Sequence, residues 1–86
     1  MARLERLVAR FLAEPAEVSF RDVATLLRAF GYEERPTKSS HHVFVKPEIL
    51  PITVPTIGGR RVKRTYIWNI VELLGLREWY EEHQDR

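Results

Sequence analysis

Residues 19–46 read SFRDVATLLRAFGYEERPTKSSHHVFVK, and along them the spacing of apolar side chains changes from helical to extended. Val23, Leu26, Leu27 and Phe30 recur at intervals of three and four, which puts them on one face of an α-helix. Ser19 stands before that pattern and Asp22 follows three residues on, a shortened capping box that predicts the helix start. Gly31 marks its end, because the residue after a helix commonly turns left-handed and glycine does so without a Cβ penalty. Beyond Gly31 the helical spacing stops. Residues 32–37 can form a strand that Pro36 confines to a sheet edge, and residues 42–46 are rich in β-branched and aromatic side chains.

Toward the N-terminus, Leu4, Leu7, Val8 and Phe11 form a second helical stripe that Pro15 brings to an end near residues 13 and 14. Arg3, Arg6, Arg10 and Glu5 make the solvated face of that helix. Toward the C-terminus, residues 47–51 connect to an alternating run over 52–57 that reads as a half-buried strand, and Gly58-Gly59 breaks it. Ile67, Ile70, Val71 and Leu74 then resume the helical stripe until Gly75, and residues 76–83 form a short tail in which Trp79 and Tyr80 can pack back. The expected order is helix, helix, three strands, helix, tail. That order predicts an α+β two-layer sandwich: a three-stranded antiparallel sheet with helices on one face and the other face open. One domain is expected over residues 1–86, with residues 1–16 as a helical extension and 77–86 as a C-terminal tail. No internal repeat or low-complexity linker divides it.

At 86 residues the chain is too short for two independent cores, and 44% hydrophobic with 30% charged residues is the composition of a globular protein. The absence of cysteine excludes disulfides, thiolate metal sites and thiol nucleophiles. No apolar run approaches the length of a membrane span, and the first residues lack the pattern of a signal peptide, so a cytoplasmic protein is expected. Charge is unevenly spread. Residues 1–34 sum to −1 and residues 65–86 to −3, while residues 35–64 carry Arg35, Lys38, Lys46, Arg60, Arg61, Lys63 and Arg64 against Glu48 alone. A basic block of this kind suits a polyanion, because neutralising phosphates and releasing their counterions drives nucleic-acid binding. It also suits a solvated loop.

His41 and His42 are the sharpest chemical feature. An imidazole titrating at about pH 6.5 can take or give a proton at neutral pH, as RNA cleavage requires at the 2′-hydroxyl or the leaving 5′-oxygen, with nearby Lys and Arg stabilising the phosphate. Two polar residues at a strand entrance are the other reading. Adjacent strand residues point to opposite faces, so the pair is not expected to chelate a metal together, and no cofactor is expected. Gly58-Gly59-Arg60-Arg61 can hold a phosphate through amides and guanidinium groups, or can serve only as a loop break.

Several motifs together resemble the HicA family of toxins from bacterial toxin-antitoxin pairs. They are Val23 to Gly31 followed by Tyr32, the run Ser39-Ser40-His41-His42-Val43-Phe44, the strand Ile52-Thr53-Val54-Pro55, and the late helix from Ile67 to Leu76 ending Leu-Leu-Gly-Leu. The resemblance implies a fold like a double-stranded RNA-binding domain and a metal-independent ribonuclease, an mRNA interferase, acting on messenger RNA. It implies a single catalytic histidine at the position of His41, and a HicB-type antitoxin that covers it. Lys38, Ser40, His42, Lys46, Arg60, Arg61, Lys63 and Arg64 are then the expected RNA-binding residues. Ser39 stands where family members usually carry Gly, which motivates an alternative: a non-catalytic RNA-binding module of the same fold.

Overall fold

A computed structural model describes residues 3–35, 37 and 41–83. The two N-terminal stripes form helices α1 (Arg3–Leu12) and α2 (Phe20–Ala29), separated by a short strand β1 (Glu17–Ser19). Strands β2 (Glu33–Arg35), β3 (His41–Lys46) and β4 (Ile49–Pro55) follow, then a three-residue strand β5 (Arg61–Lys63), helix α3 (Arg64–Leu74) and helix α4 (Leu76–Glu82). The α+β class and the three-stranded antiparallel sheet, in the order β2-β3-β4, are as expected. No helix is long and apolar enough to cross a membrane among the described residues.

The cap at Ser19 forms as its sequence predicts, but only half of the box does so. Ser19 Oγ accepts from the Asp22 amide at 3.2 Å, while the Asp22 carboxylate is taken by Arg10 of α1 at 2.6 Å. At the other end of α2, Tyr32 N–H donates to Leu27 O and Gly31 N–H to Arg28 O, both at 3.0 Å, the double bond pattern that closes a helix through a left-handed residue. Gly31 takes φ +96° there, and Gly75 takes φ +61° between α3 and α4, where it ends one helix and begins the next.

The core is one cluster. Val8 and Phe11 of α1, Val23, Leu26 and Leu27 of α2, Ile67, Ile70 and Val71 of α3, and Leu76 of α4 are buried together with Phe44, Ile52 and Val54 of the sheet. Each such side chain stabilises the fold by roughly 1.5–3 kcal/mol through burial. Phe44 and Ile52 sit opposite each other in the β3–β4 ladder, as do His42 and Val54, so these four share the helix-covered face. Trp79 and Tyr80 pack against the cluster, and Trp79 meets Phe30 with ring centroids 5.6 Å apart.

Three features depart from expectation. The connection between β3 and β4 is only Pro47-Glu48, with Lys46 opposite Ile49, rather than residues 47–51. Pro51 lies within β4, where an edge strand tolerates its missing N–H. Glu48 at φ +66° makes the tight turn. Finally, β1 and β5 form a separate two-stranded ribbon, with Val18 opposite Val62 and both buried. Gly58-Gly59 therefore leads into a strand, and not directly into the last main helix.

Candidate nucleic-acid interface at the entrance of β3

His41 and His42 open β3, opposite Pro55 and Val54 at the end of β4. The period-2 pleat sends them to opposite faces: His41 is exposed on the open side, and His42 lies with Phe44 under the helices. Thr37 Oγ1 donates to the His41 carbonyl at 2.7 Å, which ties the strand entrance to the segment after β2. Lys38 and Ser40 lie outside the described residues.

The surroundings of His42 are specific. Its ring packs against Phe20 in a tilted arrangement, centroids 4.1 Å apart, and Phe20 in turn meets Phe44 at 6.0 Å. Its Nδ1 is 3.0 Å from Glu34 Oε2, and Arg28 Nη2 reaches Glu34 Oε1 at 3.4 Å. Glu34 stands directly opposite Phe44 on β2, so its side chain meets that of His42 along the diagonal of the same sheet face. The His42 side chain keeps 26% of its exposure, enough to be reached from solvent.

The basic residues named from sequence do not all gather here. Phe20 N–H donates to the Arg60 carbonyl at 2.6 Å, and Ser19, Phe20, Arg21, Gly59 and Arg60 line one open groove, so Arg60 sits beside the aromatic shelf that carries His42. Arg61 instead pairs with Glu17 at 3.2 Å, Lys63 lies across the ribbon from Glu17, and Arg64 donates to Pro15 O at 3.5 Å. Those three face the N-terminal segment. Lys46 lies at the far end of β3, about 17 Å along the strand from His41. Its ammonium donates to Phe30 O at 2.8 Å and lies 5.5 Å from the centre of the Tyr32 ring, where it satisfies the C-terminal end of α2.

Sequence reasoning passed over Phe20, Arg21 and Glu34. The period-2 spacing of a strand separates Glu34 from Glu33 and Arg35, but only the β2–β3 register puts it on the face of Phe44 and beside His42. His83, just after α4, is exposed, stacks on Trp79 at 4.1 Å and contacts Trp79 O through Nδ1 at 2.8 Å.

A small α+β domain with a histidine pair at a strand entrance and arginines on the adjoining groove is a candidate for phosphate chemistry. The family model described as HicA toxin of bacterial toxin-antitoxin matches residues 20–76, from the first residue of α2 to the start of α4, and the chain belongs to the HicA toxin family. No curated protein and no solved structure matches it. Helix α1 and strand β1 fall outside the matched residues.

Proposed function

We propose that this toxin is a metal-independent endoribonuclease that cleaves messenger RNA in the cytoplasm and is held inactive by a HicB-type antitoxin. The observation that carries this reading is the family match over residues 20–76, which contains the Ser-His-His run with His41 exposed at the mouth of β3. In the proposed reaction His41 takes the proton of a 2′-hydroxyl. The 2′-oxygen attacks the adjacent phosphorus, the bond to the 5′-oxygen breaks, and that oxygen receives a proton, leaving a 2′,3′-cyclic phosphate and a 5′-hydroxyl. Arg60, on the groove beside His42, is a cation for the phosphate backbone, and Lys38, Ser40, His42, Lys46, Arg61, Lys63 and Arg64 complete the proposed RNA-binding set.

The Glu34–His42 contact favours one second reading, in which His42 carries the proton. A carboxylate that orients an imidazole is the usual partner of a general base. Cleavage of a long single-stranded RNA in excess EDTA separates the readings. With His41 as the acid or base, His41→Ala loses about 10²- to 10⁴-fold in rate and His42→Ala much less. The reverse order transfers the role to His42. RNA binding without cleavage by the wild type would leave a non-catalytic RNA-binding module.

A further inference from the structure

The N-terminal arginines, read from sequence as a solvated helix face, line a groove. Helices α1 and α2 pack side by side and leave between them an open channel of about 470 Å³. Arg3, Arg6 and Arg10 enter it from α1, and Arg21 and Thr25 from α2. Asp22 is the acid that lines it, and Asp22 is already bound to Arg10. Among the described residues no acid pairs with Arg3, Arg6 or Arg21. The groove therefore carries three exposed arginines in excess of its one internal ion pair. Arg3 to Arg10 spans about 10 Å of helix, so the charges are spread along a track instead of gathered at a point.

Arg21 joins this track to the groove beside His42, the chain neighbour of His41. It lines the α1–α2 groove and also the open groove of Ser19, Phe20, Gly59 and Arg60, whose Phe20 ring packs against His42. A strand of linked phosphates is the ligand that needs regularly spaced cations and can follow a continuous path; a lone anion would use one or two of them. We propose that the α1–α2 groove is a phosphate-backbone site that holds the RNA strand leading away from the cleavage centre. The inference rests on the ribonuclease reading and adds to it a binding surface supplied largely by residues outside the family-matched segment.

The test uses a fluorescein-labelled single-stranded RNA of about 20 nucleotides, 2′-O-methylated so that it binds without being cut. Its affinity is measured by anisotropy between about 50 and 200 mM salt for the wild type, an Arg3→Gln/Arg6→Gln/Arg21→Gln variant and the matching triple Lys variant. Each engaged arginine contributes about 0.7 to the slope of log affinity against log salt, so the Gln variant loses about 2 from the slope and the Lys variant keeps it. All three sites are exposed, and circular dichroism checks that the helices remain. A folded Gln variant with the wild-type slope overturns the proposal while leaving the ribonuclease reading intact. A wild type that neither binds this RNA nor cleaves an unmodified one defeats both. A Gln variant that keeps its RNA slope but loses affinity for the antitoxin assigns the groove to a protein partner and also overturns it.

Discussion

Glu34 Oε2 lies 3.0 Å from His42 Nδ1, and this contact fixes the chemistry of the ring. An ionised carboxylate can only accept a hydrogen bond, so Nδ1 carries the hydrogen and Nε2 is the nitrogen left with a lone pair in the neutral form. Phe20 lies against the same ring, tilted by 34° with centroids 4.1 Å apart.

That arrangement is testable without any activity. Long-range ¹H–¹⁵N correlation at about pH 8, where an ordinary imidazole is neutral, is expected to show His42 as the Nδ1–H tautomer. Glu34→Ala should move it toward the Nε2–H form, which is the more common one in solution. An unchanged His42 spectrum in Glu34→Ala would mean that the carboxylate does not set the tautomer.

Removing the cap of α2 should cost measurable stability. Ser19→Ala deletes the acceptor of the Asp22 amide and is expected to lower the unfolding free energy by about 1 kcal/mol, whereas Ser19→Gly costs only a few tenths. Urea melts of the two variants check the order. Equal losses would show that the hydroxyl contributes little.

Gly31→Ala meets two obstacles. The backbone at φ +96° is strained for any side chain, and a Cβ would stand 3.1 Å from Lys46 Cε. The expected loss is about 1–2 kcal/mol, seen as a lower urea midpoint with an unchanged slope. Because Lys46 reaches Phe30 O through this gap, the Gly31→Ala/Lys46→Ala double variant should show a cost smaller than the sum of its two singles.

Phe44 has no exposed surface and joins the sheet to Phe20 of α2. Phe44→Ala should destabilise by about 3–5 kcal/mol, a large part of what a domain of this size possesses. Thermal unfolding near or below room temperature is the expected readout. A folded protein with a melting temperature close to that of the wild type would contradict the placement of this side chain.

What could be read in the chain and what could not divide along the range of the interaction. Val23, Leu26 and Leu27 announce α2 because helical periodicity is local, and Ser19 and Gly31 mark its ends for the same reason. The pleat of β3 separates His41 from His42 on sequence alone. Strands β1 and β5 are invisible, since three residues with one inward side chain, Val18 or Val62, carry no period. The arginine groove is hidden by arithmetic. Arg3, Arg6, Arg10 and Arg21 fall in a segment whose acids give it a net negative sum, and only the packing of α1 on α2 separates the cations from Glu14, Glu17, Glu33 and Glu34. Arg61 and Arg64 belong to the basic block by position, and only the ribbon shows that they also reach Glu17 and Pro15.

The β1–β5 ribbon also imposes an order on synthesis. Val18 pairs with Val62, and α1 packs against α3 and α4, so α1 and β1 are completed by elements made after them. At translation rates of about 5–20 residues per second, the interval between Ser19 and its ladder partner Arg61 is roughly 2–8 seconds. During that time α1 can pack on α2 but not yet on α3 or α4, and Val18 has no partner across the ribbon. A toxin built this way closes its core only after α3 and α4 have been made.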